Sequence, residues 1–259
     1  FSHTFTFSTP NTSTPGKVVL LGNNIASSGS MPSRQVRFSN AITVGIGSDL
    51  AFGAGSLQLQ NTGPVFMAEN GPHSIANPLN LQGNTLVVDG PHDLGMTGPI
   101  SGTTSGRITK KGSGKLTLAA ENTYGGGTAI NDGTLLVGHA NALGTTGAIA
   151  VATGATLAVA PGVTFAQHSR VAWAAGATLG GGGVYATGGA WTVPGGVSLS
   201  PGLSIDTLTL DAGGAPVVLG PTSTLRMDLA DDPDSDLLRV LGSLDLGGAT
   251  LSLHGTALL

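Results

Sequence analysis

The densest set of oxygen ligands in the sequence is the run Asp231-Asp232-Pro233-Asp234-Ser235-Asp236. Carboxylates alternating along a loop are what hard cations prefer, which makes Asp231, Asp232, Asp234 and Asp236 the candidate Ca²⁺ ligands. The run lacks the glycine and distal glutamate of an EF-hand loop, and also the nonapeptide of calcium-binding β-rolls. Against calcium stands the plainer reading of a solvated loop. No other cofactor is called for.

Hydrolytic acid–base chemistry would need two carboxyl groups about 5–9 Å apart. Asp49, Glu69, Asp89, Asp93, Glu121, Asp132, Asp206, Asp211, Asp228 and Asp245 are the available groups, and most stand beside Gly or Asn, as corner residues do. A repeat near 22 residues would bring Asp49 close to Glu69, and Asp211, Asp228 and Asp245 close to one another. The six histidines, His3, His73, His92, His139, His168 and His254, are too dispersed for a metal-ligand spacing. No Gly-x-Ser-x-Gly or P-loop is present, and the glycine run 180–183 reads as a tight corner. Trp173, Tyr185 and Trp191 form either an outer sugar-stacking patch or, the favoured reading, a buried cover over a short turn of the fold. Thr-x-Thr pairs do not recur in the single register that an ice-binding face would require. The expectation is a protein that is not an enzyme.

The elements that must position these groups are short strands. Leu116-Thr117-Leu118 and Thr207-Leu208-Thr209-Leu210 alternate apolar and polar, so one face turns inward and the other outward. Lys17 to Leu21, Gln35 to Phe38, Ala41 to Val44, Asp49 to Phe52 and Ser56 to Leu59 read as further strands, each ended by Gly, Asn, Ser or Pro. Nowhere does apolar spacing sustain a helix. Phe1, Phe5 and Phe7 share one face of an opening strand, which suits an end cap.

Equivalent strand positions recur at Leu57, Leu79, Ile100, Leu118, Leu135, Leu157, Leu179 and Leu199, with successive steps of 22, 21, 18, 17, 22, 22 and 20. Gly-Ala-Thr-Leu appears at 154–157, 176–179 and 248–251. A period near twenty with several strands per period describes a solenoid of rungs. Roughly a dozen rungs about 4.8 Å apart would make a rod on the order of 60 Å long. A leucine-rich repeat has a similar period, but no helix is available for its units.

Composition sets the outer bounds. Charged residues are only 9% of the 259 while hydrophobic ones reach 40%, so the chain has the apolar content to fold rather than stay disordered. Aromatics are 4% and Gly numbers 43, which favours thin layers of Leu, Val, Ile and Ala with glycine corners. A net charge of -4 leaves no basic surface for nucleic acid. The absence of Cys suits export as an unfolded chain, and no apolar run is long enough for a membrane helix. The sequence opens at Phe1 without an initiator Met or a charged-then-apolar stretch, and the expectation is a mature chain that begins after any signal peptide.

One stretch carries a specific resemblance. Thr109-Lys110-Lys111-Gly112-Ser113-Gly114-Lys115-Leu116-Thr117-Leu118, then Asn122-Thr123-Tyr124-Gly125-Gly126-Gly127-Thr128, then Gly133-Thr134-Leu135-Leu136-Val137-Gly138 resemble the passenger-associated transport repeat of bacterial autotransporters. Ala140 to Gly144 with Gly154 to Leu157 looks like its continuation, and Ile75 to Leu79 with Leu94 to Gly102 like the rungs before it. Ser200 to Ser204 and Ser235 to Gly242 resemble its closing segment. The resemblance covers about Ile75 to Leu253 with one full copy of the repeat core.

It implies an all-β, right-handed parallel β-helix of roughly 20–22 residues per rung, secreted or displayed on a bacterial surface, whose repeat assists export and folding. The expected division is one β-helix domain over 1–259, with N-terminal rungs at 1–74, repeat-bearing rungs at 75–199 and C-terminal rungs at 200–259. The family's membrane translocator would show as amphipathic strands of about ten residues. None is read here, which suggests a passenger fragment or a barrel-free relative. The implied role is a stalk or adhesin body that meets a surface glycan or protein. End-to-end filament assembly and polysaccharide cleavage are the alternatives.

Overall fold

A computed structural model of the chain describes residues 3–8, 16–22, 34–39, 41–203, 205–229 and 235–255. Among them the structure is all β, apart from one 3₁₀ turn at His168–Arg170. The strands are short, and each pairs in parallel with a strand about one rung away in sequence. A strand of three or four residues offers too few bonds to stand alone. Stacking the same strand of each rung supplies a continuous ladder, which is the logic of a β-solenoid.

The chain divides into two compact units, Phe1–Ala129 with Asn141–Ala148, and Ile130–Ala140 with Ile149–Leu259. In the first unit one sheet stacks His3–Ser8, Arg34–Ser39, Ser56–Gln60, Leu79–Asn80 and Ile100–Ser101. A second stacks Gly16–Leu20, Ile42–Ile46, Val65–Ala68, Thr85–Val88 and Arg107–Lys110. A third holds His73–Ile75, Leu94–Met96 and Lys115–Leu118. Inward positions lie one above another: Leu57 on Leu79 on Ile100, and Ile75 on Met96 on Leu118. An aromatic core fills the N-terminal turns, where Phe38 and Phe66 are fully buried with ring centroids 5.2 Å apart, and Phe7 stacks on Phe38 at 5.8 Å. Phe1 and the side chain of Phe5 lie outside the described residues.

In the second unit the longest run of parallel strands is Thr134–Val137, Thr156–Val159, Thr178–Gly181, Ser198–Pro201, Thr224–Leu229 and Thr250–Gly255. Its inward column is Leu135, Leu157, Leu179, Leu199, Leu225 and Leu251. Ile149–Val151 pairs with Val171–Trp173. Below them two sheets begin. One is Thr164–Phe165, Val184–Ala186, Thr207–Asp211 and Leu237–Leu241, and the other Trp191–Val193, Val217–Leu219 and Leu244–Asp245.

The sequence expectation of one leucine column is therefore corrected. Leu57, Leu79 and Ile100 belong to one sheet and Leu135 through Leu199 to another, so the irregular step of 18 from Ile100 to Leu118 is a passage between sheets. Within a sheet the steps are 20 to 22 from Leu57 to Ile100 and from Leu135 to Leu199, and they lengthen to 26 from Leu199 to Leu225 and from Leu225 to Leu251. A second correction concerns Asp49 to Phe52. It is a series of turns closed by Ala51 N–H to Ser48 O and Gly53 N–H to Leu50 O, with the Ser48 hydroxyl accepting from Leu50 N–H. A side chain that satisfies the backbone locally favours the turn over the strand.

Candidate functional site

The stretch singled out by sequence is used up in building rungs. Lys110 ends the strand Arg107–Lys110 pointing inward and is only 2% exposed. Its ammonium donates to the carbonyls of Lys111 and Gly112 at 2.6 and 2.7 Å, so a buried charge holds the corner that follows it. Gly112 takes φ +67°, and a Cβ there would run into the backbone of Gly90 one rung away. Beyond the corner, Asp93 accepts from the Lys115 backbone N–H at 2.8 Å and pairs with its ammonium at 3.1 Å. Burial would raise the Asp93 pKa, but these contacts and the Lys110 charge bring it below its ordinary value.

Leu116 and Leu118 are fully buried. The chain then turns at Asn122, 1% exposed, whose carboxamide ties two rungs. Its Oδ1 accepts from Ile100 N–H at 2.7 Å and its Nδ2 donates to Ala142 O at 2.6 Å. Thr123 N–H bonds Ile100 O, Gly126 N–H bonds Gly106 O and Thr128 N–H bonds Ala148 O. The Tyr124 ring is buried with its hydroxyl 2.7 Å from Thr128 Oγ1. Gly144 closes over this ring at φ +69°, where a Cβ would strike Tyr124 O. In the second unit Gly133 N–H is capped by the Asp132 carboxylate at 2.7 Å, and Thr134, Leu135 and Val137 pair with Thr156, Leu157 and Val159. Gly127 and Gly138 fall outside any strand, as corner residues should.

A family model described as the passenger-associated-transport-repeat matches residues 108–137. The chain carries a passenger-associated transport repeat. The repeat sits on a parallel β-solenoid, as expected of an autotransporter passenger repeat protein. No match to the chain was found among curated proteins or solved structures. Sequence reasoning missed the role of Asn77. It is 6% exposed and donates to Gly53 O and Gly55 O, tying an earlier corner to the rung before it, where Asn122 ties the rungs on both sides. Its signal is an asparagine just after an inward strand residue and just before the next rung.

The other candidates are placed one by one. Asp231, Asp232 and Asp234 lie outside the described residues. Asp236 is 6% exposed and accepts from Asp206 N–H at 3.1 Å and Asp228 N–H at 2.8 Å, so its carboxylate ties backbone together. Among the described residues no group of three or more His, Cys, Asp or Glu is placed to hold a metal. Asp49 and Glu69 do approach a common residue. His73 Nδ1 is 3.0 Å from Asp49 Oδ1 and its Nε2 3.1 Å from Glu69 O, while the Glu69 carboxylate meets Lys17 at 2.7 Å. Ser74 N–H and His73 lower the Asp49 pKa.

Asp211, Asp228 and Asp245 stand in three different sheets, which corrects their expected proximity. Asp211 and Asp245 cap the N–H groups of Gly213 and Gly247, and Asp228 faces Arg226. The aromatics form a largely interior cluster. Tyr185 is fully buried and Trp191 is 7% exposed, with ring centroids 5.2 Å apart. Phe165 and Trp173 complete the cluster. His168 joins it through a T-shaped contact with Trp191 and a 3.1 Å bond to the Tyr185 hydroxyl. Burial pushes the Tyr185 pKa far up and the His168 pKa down. The buried Trp173 indole N–H makes no hydrogen bond, although it stands near enough to the Tyr185 hydroxyl to favour the phenolate slightly. This cluster lies where Val171–Trp173 ends one sheet and Trp191–Val193 begins another, so large rings fill a change of cross-section.

Proposed function

We propose that the chain is part of a non-catalytic autotransporter-type passenger, exported and held at or beyond the bacterial surface as a structural or adhesive body. One observation carries this reading: the side chains that define the transport repeat bond or pack against neighbouring rungs, with none left as a reactive group. Lys110, Asn122 and Tyr124 are all buried, and their polar atoms go to carbonyls, one backbone N–H and one threonine. A chain that leaves the cell unfolded has to form its ladder without cellular help. A corner that binds the rungs before and after it is suited to seeding that stack.

The test joins the chain to an outer-membrane translocator barrel and measures surface display by protease shaving of intact cells. The parent should appear outside as a resistant fragment, and Asn122→Ala with Tyr124→Ala should cut the displayed fraction several-fold at equal synthesis. Equal display of both would count against the export role.

A further inference from the structure

The outer face of the long sheet in the second unit carries a feature that no rung requires. Thr134, Thr156, Thr178, Ser198, Thr224 and Thr250 fall in one register and form a column of hydroxyls at the spacing of the ladder. Beside it on the same side run Leu136, Ala158, Gly180 and Ser200, of which Ala158 and Gly180 are buried, with the carbonyls of Ser200 and Gly202 close over Gly180. A recess of about 260 Å³ next to these columns is lined by Thr156, Thr178, Ser198, Ser200, Arg226 and Asp228, with Leu203 on one side. Leu203 is 51% exposed and gives the recess an apolar wall.

The chemistry of the lining selects among ligands. Arg226 Nε lies 3.7 Å from Asp228 Oδ1, so the recess contains one positive and one negative group and no net charge to attract an ion. Asp228 is held in place because its backbone N–H is bound by the buried Asp236 carboxylate at 2.8 Å. A donor fork, an acceptor carboxylate and a row of hydroxyls that both donate and accept match vicinal hydroxyl groups on a ring. The leucine wall suits the ring's C–H face. The volume is below that of a drug-sized pocket, which fits one small ring rather than a long buried chain.

We propose that this recess binds one ring of a neutral saccharide. The inference deepens the adhesive reading above and rests on it only for where the sugar would be met. The test is titration calorimetry of the whole chain with maltotriose, cellotriose, mannotriose and triacetylchitotriose, with trigalacturonate as the charged comparison. At least one neutral trisaccharide should bind with a Kd of about 1 mM or tighter, and Ser198→Phe, which fills the recess, should weaken it about tenfold or more. Arg226→Met, at an exposed position, should do the same and keeps the test decisive if the bulky variant does not fold.

The proposal is overturned if no neutral trisaccharide binds up to about 20 mM, if only trigalacturonate binds, or if both variants bind as the parent does. A chain that binds sugar in solution but fails the display assay sinks the surface reading and leaves the recess standing. A displayed chain indifferent to every sugar does the reverse.

Discussion

Asn122 shows how one polar side chain governs several turns of backbone. It accepts from Ile100 N–H and donates to Ala142 O, and in Asn122→Ala both partners stay buried without replacement. Unmet buried groups cost about 1–3 kcal/mol each, so a loss of roughly 2–5 kcal/mol is expected as a lower denaturation midpoint in urea. Gly144→Ala should cost at least about 1 kcal/mol by the same measurement, since alanine at φ +69° adds backbone strain to a clash with Tyr124.

Two residues give pH dependences of similar sign at different pH. The folded pKa of Asp49 is below 3.8, so its stabilisation is present at neutral pH and is lost as pH falls below about 4. His168 is also lowered, from 6.5, but here the neutral form is favoured. The unfolded chain takes up the proton first, and stability declines as pH drops below 6.5. Thermal unfolding of His168→Gln should show a smaller loss between about pH 7 and pH 5 than the parent, and Asp49→Asn a smaller loss between about pH 5 and pH 3.

At the scale of the strand, alternation in the sequence tells which side chains face inward. Leu116-Thr117-Leu118 and Thr207 to Leu210 bury their leucines and turn their threonines outward, as a period of two requires. Leu118→Asp should leave a folded core impossible around it, because a carboxylate would replace a fully buried side chain between Met96 and its neighbours. Loss of protease resistance through the flanking rungs is the expected readout, and a variant as resistant as the parent would refute the inward assignment. What could not be read was which sheet each strand joins. Leu118 carries the same local pattern as Ile100, and only the arrangement of three strands per turn separates their columns. Asp49 to Phe52 misled for a related reason: its apolar alternation is real, but Ser48 satisfies the backbone as a turn. The recess was invisible because its column arises from register between rungs, and the leucines used for spacing drew attention to the opposite face.

For the whole molecule, the repeat was legible as text while the site chemistry mostly was not. The acidic run looked like a ligand set, yet its one described carboxylate, Asp236, is a backbone tie. Spacing along a chain cannot tell a carboxylate that faces solvent from one that faces an N–H group. Aromatic residues were legible as a cluster because burial of large rings is the common outcome, and the structure adds why they are needed at that level: the sheets change there.

The identical register of Thr156 on Thr178 and Leu157 on Leu179 has a bearing on ancestry and engineering. Residues 155–158 and 177–180 begin alike, so excising 156–177 joins Ala155 to Thr178 and leaves every later side chain facing as before. Removing eleven residues instead would set strands against corners. Such a molecule can shorten or lengthen by whole turns through unequal recombination of its gene, while additions of other sizes are held in the corners, as the longer steps of Ser198 to Thr224 and Thr207 to Leu237 show.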